Sequence, residues 1–503
     1  MKKLLLWIAF SLCLMGVAAA ETILIDPSGA GDYASITEAL DAAQDGDELI
    51  LSGGVYDETR ETFPILVERS VALRAAEGEE PVIMPPQQVA GLELAAPGIE
   101  LNGVRVDFLR SGLWVMADDV RVLNCEFALI DEAWRTSSCG AWIAGAKRMT
   151  MENCAFTGCG IAIAGPPISD SSAGLPVLTG MFEVGEDIDF FTTHTIENCY
   201  VNDLPLCYEV GLRDQVYSQP VGQLIAVQCE NVTFTSMDAS RASIGIELAY
   251  CKNVALERCI ADDAGIFGIY VAKSEDCVVY RCRADRGAHG IDLRAIERCV
   301  VSECSSTGSG QGMFFSFAFD SLLSDCEIIE NGTGFYASAG EGNQMHGCLI
   351  RGNQLGIYVQ KEPNFTLTDT EFSGNWNTGA RFTHADGSAC IGCTFTENWV
   401  SAMGLYSQGL LYQGNRFSGS ENTSLYLEQV SGARLLENDF SGETAAPAQY
   451  EACENLLVWK ETASDMMNGI IRQRWNSTAQ CTPIFRAFRE ISSEYLTVTE
   501  ASW

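Results

Sequence analysis

The chain has 503 residues, with 67 acids against 31 bases and a formal charge of −36. That charge excludes nucleic acid and anionic membranes as partners, and a polyanion would need a local basic patch or bridging cations. No stretch beyond the first twenty residues approaches 18 consecutive apolar positions, so no membrane insertion is expected.

Residues 1–20 read as a secretory signal. Lys2 and Lys3 precede an apolar run from Leu4 to Val17, and Ala18-Ala19-Ala20 precede Glu21. The product is expected outside the cytoplasm: secreted, periplasmic or on the cell surface. Nineteen of the twenty cysteines lie beyond this leader, an odd number that cannot pair completely within one chain.

Residues 21–60 form a distinct segment. Thr22 to Ile25 predicts a strand, Ser35 followed by Glu38 is a capping box opening a short helix through Ala43, and Asp45-Gly46 turns into a second strand, Glu48 to Ser52. The helix is expected to plug the end of a solenoid, whose terminal core and strand edge must be hidden.

Residues 61–443 carry the repeat that decides the fold. One column of the unit Cys-x-x-x-x-Asn-x-x-Gly-Ile-Tyr-Val runs Met237, Cys259, Cys282, Cys304, Cys326, Cys348, Thr370, Cys393, Asn415 and Asn438, at steps of 22 or 23. A second column runs Gly245, Gly268, Gly290, Gly312, Gly334, Gly356 and Gly379. Short β-type runs at this period predict an all-β fold, a right-handed parallel β-helix of about fourteen coils stacked about 4.8 Å apart. Between Gly91 and Met237 the gaps lengthen, and the excess is expected to leave as loops at 165–189 and 212–221. Residues 444–503 lose the period and are expected to form a C-terminal cap.

The N-terminal segment, read with these coils, resembles that of pectinesterases and other pectin-lyase-like right-handed β-helix proteins, in the run from Ile25-Asp26-Pro27 to Asp57-Glu58. The resemblance implies the fold. The catalytic Asp-Phe-Ile-Phe-Gly segment of pectinesterases has no counterpart, since Asp189-Phe190-Phe191 is only an echo.

Columns separate scaffold from candidate chemistry. The cysteine ladder from Cys259 to Cys348 reads as small apolar core, because in-register neighbours do not converge as a disulfide requires. Asn331, Asn353, Asn375 and Asn398 read as a ladder that satisfies backbone groups of adjacent coils. Two residues beyond the glycines lies an outward column: Glu93, Trp114, Trp142 and Ala162, then Glu247, Tyr270, Asp292, Phe314, Tyr336, Tyr358, Arg381, Tyr406 and Tyr426. Such an aromatic stripe either stacks on an extended sugar chain or stabilises the sheet.

Glu247 and Asp292 interrupt the stripe two coils apart, roughly 9.6 Å between backbones, near the upper end of the ~6.5–9.5 Å carboxyl spacing of inverting glycosidases. His289 and Arg294 flank Asp292 as candidate leaving-group or uronate contacts. The leading expectation is an exported, monomeric, polysaccharide-binding β-helix. If it is an enzyme, Glu247 and Asp292 act as acid and base, and Tyr270, Phe314, Tyr336, Tyr358 and Arg381 contact substrate. A non-catalytic adhesive or glycan-binding β-helix is the alternative. A second alternative is a polysaccharide lyase with Ca²⁺ on Asp262, Asp263 and Asp285 and Arg294 as base; otherwise no cofactor is expected. Gly287-Ala288-His289-Gly290 and Asp262-Asp263 resemble polygalacturonase segments. In that family, however, the carboxylates share the histidine's column, which here holds Ile244 and Phe267. Four histidines and interior cysteines argue against a copper-maturation β-helix.

Overall fold

The computed structural model describes residues 20–87, 89–165, 187–443, 446–459 and 461. Residues 1–19 of the expected signal segment, nearly all of the expected 165–189 loop and most of the expected C-terminal cap lie outside these residues. Almost every described strand pairs in parallel with the equivalent strand one coil away, giving an all-β parallel solenoid. It has about nineteen turns rather than fourteen. The extra turns lie at the start, where strands of three or four residues separated by uneven gaps hide the period. Thr22–Ile25 and Glu48–Leu51 already belong to this stack, so the N-terminal segment contributes coils as well as a plug. Among the described residues no helix is long and apolar enough to cross a membrane.

The plug is the helix Ile36–Ala42, with Ile36, Ala39 and Leu40 in the core. Ser35 Oγ accepts the Glu38 N–H at 3.2 Å, as the capping box predicts. The remaining cap bonds go elsewhere: Glu61 accepts the N–H groups of Ile36 and Thr37 at 2.7 and 2.9 Å. A buried carboxylate at a helix N-terminus satisfies orphan donors and meets the positive end of the dipole.

The solenoid is divided into two arms. The N-terminal arm ends at the strand Tyr200–Val201, which turns back antiparallel onto Leu204–Val210. Asn202 and Asp203 at the turn have φ of 49° and 65°, the left-handed values of a two-residue type I′ hairpin turn. From Leu204–Val210 the parallel stacking resumes as the front sheet of the C-terminal arm. Arg213–Tyr217, expected in a loop, is instead the first strand of a twelve-stranded sheet. Its polar, largely exposed residues suit an edge and disguise it as a loop. The coils also continue past Glu443, through Ala446–Glu451 and Leu457–Trp459, which pair with the preceding coil.

One core fills the C-terminal arm, and a second fills the N-terminal arm and extends to Leu206, Ile225, Val227, Ala242 and Ala249 of the other. Phe372, Phe395, Phe417 and Phe440 stack in the C-terminal arm with centroids 4.7–5.0 Å apart, one ring per coil. No disulfide joins any described cysteine. The thiols fill core volume, and Cys282 Sγ accepts the Cys259 N–H at 3.4 Å. Asn353, Asn375 and Asn398 each accept the N–H of the asparagine one coil earlier at 2.8–3.1 Å. Each also donates Nδ2 to a buried carbonyl at 3.0–3.1 Å. The glycine column has a steric origin. A Cβ on Gly356 would sit 2.2 Å from the Gly379 carbonyl oxygen, and one on Gly334 would sit 2.4 Å from that of Gly356.

Candidate functional site

The expected outward column exists in register. Glu247 pairs with Tyr270, Tyr270 with Asp292, and the series continues through Phe314, Tyr336 and Tyr358 to Arg381. Its continuation is Met403 and then Tyr426. Tyr406 lies outside the column, at φ 51°, with its ring stacked on His384 at 5.4 Å.

The first part of this column is covered, because the N-terminal arm lies against it. Trp114, Trp142 and Ala162, on the outer face of the N-terminal arm, pack with Ile244, Phe267 and Tyr270 in one apolar cluster. Polar bonds fix the contact. Gln223 brackets Ile161, accepting its N–H at 3.0 Å and donating to its carbonyl at 2.7 Å. The Gly160 N–H donates to Ser243 Oγ at 2.8 Å. Glu247, Tyr270 and Asp292 consequently have no solvent-accessible surface. The open groove expected between Glu247 and Asp292 is absent, and with it the water path an inverting pair requires. Tyr270 offers no platform, since its ring is stacked on Phe267 at 4.7 Å.

The two carboxyls differ in state. Neither oxygen of Glu247 has a hydrogen-bond partner, and burial alone raises its pKa to about 8. Asp292 is held by three bonds: Arg294 Nε donates to Oδ1 at 2.7 Å, Arg294 Nη2 donates to Oδ2 at 2.9 Å, and His289 Nδ1 lies 2.9 Å from Oδ2. Burial is the strongest influence on Asp292 and pushes its carboxyl up. The Arg294 charge and hydrogen bonds, with those of His289, outweigh it and hold the carboxyl below the ordinary value. Burial likewise pulls Arg294 down, but the Asp292 charge and bonds raise it on balance. Its guanidinium lies 5.2 and 4.9 Å from the rings of Phe267 and Phe314. An arginine so paired is a cation, unsuited to act as the base of a lyase. The structure thus gathers His289, Asp292, Arg294 and Phe314, but as a neutralised network around the buried Asp292 carboxyl.

The proposed Ca²⁺ ligands are likewise committed. Asp262 accepts from Arg283 Nη2 at 2.7 Å, Asp263 from Arg286 Nε and Nη2 at 3.0 Å, and Asp285 from the Thr307 N–H at 2.8 Å. Among the described residues no group of three His, Cys, Asp or Glu gathers where a metal ion could be held.

Beyond the corner the stripe emerges into partial exposure. Tyr336 and Tyr358 stack at 5.2 Å with an interplanar angle of 22°, and Arg381 lies 4.9 Å over Tyr358. Their faces are therefore turned to one another along the column, leaving edges and hydroxyls outward. A different feature has open faces. Trp376 is 76% exposed and Trp399 47% exposed. Each follows a ladder asparagine, and their N–H groups donate to carbonyls of the preceding coil, so they are neighbours in one column at the turn entering the front sheet. Together with Gly374, Glu397, Gly419 and Glu421 they line a recess of about 430 Å³. Column reading could have found this pair: Asn375-Trp376 and Asn398-Trp399 are an Asn-Trp step repeated after 23 residues.

Coils of this kind, with in-register side-chain ladders and a bonded asparagine column, define a parallel β-solenoid. Residues 98–295, 245–395 and 356–482 match the sequence profile of the right-handed β-helix region, and the chain belongs to that family. No curated protein sequence matches it. Among solved structures, tailspike protein 3 of bacteriophage CBA120 is 11% identical, with 84% of this chain and 56% of that chain covered at a TM-score of 0.32. This chain therefore spans little more than half of the tailspike. The mannuronan C-5 epimerase AlgE4 A-module of Azotobacter vinelandii is 11% identical over 89% and 93% of the two chains, at 0.32. Pectate lyase Pel9A is 14% identical over 69% and 80%, at 0.27.

Proposed function

We propose that this is an exported glycan-binding β-helix, non-catalytic, that holds a polysaccharide across the Trp376–Trp399 ridge. The observation that carries this reading is the pair of solvent-facing indoles one coil apart beside a recess. Large exposed aromatics in a row are costly to leave in water and suit the apolar faces of pyranose rings. Tyr336, Tyr358 and Arg381 on the adjacent front sheet supply hydroxyl edges and a guanidinium to the same ligand. Burial of Glu247 and Asp292 weighs against the hydrolase reading, and the arginine pairs on Asp262 and Asp263 weigh against the lyase.

Isothermal titration against a panel of soluble polysaccharides tests the reading. Wild type is expected to bind one of them, and Trp376→Ala or Trp399→Ala to lose about tenfold or more, ~1.4 kcal/mol. Binding indifferent to both substitutions would remove the ridge from the account. Release of oligosaccharides that stops in Glu247→Gln would restore catalysis.

A further inference from the structure

We infer that the ridge selects a glycan carrying free amines, such as a glucosamine polymer, over neutral or uronate chains; this rests on the glycan-binding reading above. The charged side chains of the recess are Glu397 and Glu421, both acidic. Glu397 occupies a turn position that is glycine in the coils on either side, Gly374 and Gly419. That position does not require glycine: Glu330 and Glu397 adopt φ of 56° and 53° there. A side chain on Gly374 would meet open space, whereas a Cβ on Gly419 would sit 3.3 Å from Glu397 Cγ, so the bare turn at Gly419 leaves the Glu397 side chain its room. The result is a notch with a carboxylate between two bare turns and indole faces alongside.

On the neighbouring coils some acids are paired with arginines, although with 67 acids against 31 bases in the chain many are not. Arg281 pairs with Glu303 at 2.6 Å, Arg286 with Asp263 at 3.0 Å, and Arg298 with Asp276 at 2.7 Å. Among the described residues, no Lys, Arg or His pairs with Glu397 or Glu421. Two unpaired carboxylates beside two tryptophans are complementary to an ammonium group, by charge and by cation–π attraction. The same field, in a chain of net charge −36, repels a uronate.

The test is titration of the full chain with a β-1,4-glucosamine hexamer, its N-acetylated counterpart, a uronate hexamer and tetramethylammonium, in low and high salt. The amine hexamer is expected to bind at least tenfold tighter than the acetylated one, with the preference shrinking in high salt. Glu397→Gln/Glu421→Gln is expected to abolish the preference while keeping residual binding to the acetylated hexamer. Trp376→Ala/Trp399→Ala is expected to abolish both. Equal affinity for the acetylated or uronate hexamer, with tryptophan dependence retained, would overturn amine selectivity and leave glycan binding standing. Binding of tetramethylammonium as tight as the hexamer, or of no glycan at all, would overturn both.

Discussion

Replacing Glu247 by glutamine should change how the stability of the protein depends on pH. The folded carboxyl keeps its proton up to about pH 8, because burial without any hydrogen-bond partner disfavours the anion. The unfolded side chain releases its proton near the ordinary value of 4.5. Between these values the folded state binds more protons, so stability falls as pH rises through the window and levels off above about 8. At ~1.36 kcal/mol per pH unit the full cost is on the order of 5 kcal/mol. Tyr208 and Cys139 face the same site; burial raises both of their pKa values and the Glu247 charge, where present, adds to it, so they remain neutral throughout. Glutamine has the same shape and no proton to lose. Thermal melts of wild type and Glu247→Gln should coincide within about a degree at pH 5. They should diverge by about 4–5 °C at pH 8.5, taking ~2.1 cal/mol/K per residue for the whole chain, and by more if one arm melts alone. Parallel pH profiles for the two proteins would refute the picture of a neutral, buried carboxyl at the inter-arm contact.

Asp292→Asn is expected to cost ~3–5 kcal/mol in urea unfolding, since it removes the carboxylate that neutralises the Arg294 cation in the same corner; an unchanged midpoint would show that the pair is solvated. Gly356→Ala forces a methyl against the Gly379 carbonyl oxygen and should cost ~1–3 kcal/mol, with faster amide exchange in the two adjoining front strands. Wild-type exchange there would mean that the coils separate without penalty.

The fold was legible because a 22-residue period writes the same positions repeatedly, and the asparagine, glycine and cysteine columns each kept their expected roles. The turn count was not, since three-residue strands such as Ile65–Val67 leave little periodic signal. The corner was illegible for a different reason. A column states that Glu247 and Asp292 leave the core, but burial depends on what lies against that face. Here Trp114 and Trp142, more than a hundred residues away in sequence, cover it. The Asn202-Asp203 turn that allows this reversal is local chemistry and was readable. Trp376 and Trp399 needed only the asparagine column extended by one position.

The reversal at Asn202-Asp203 also separates two properties of the molecule. Among the described residues, the apolar cluster and hydrogen bonds that fix one arm on the other involve coils up to Ala272, whereas the tryptophan ridge belongs to coils farther along. Insertion or deletion of one 22-residue unit between Cys326 and Cys348 would slide the ridge by about 4.8 Å and leave the corner untouched. The number of intervening units is then a ruler, by which a lineage could set the reach of its tryptophan-bearing edge in fixed steps while the anchored joint stays constant.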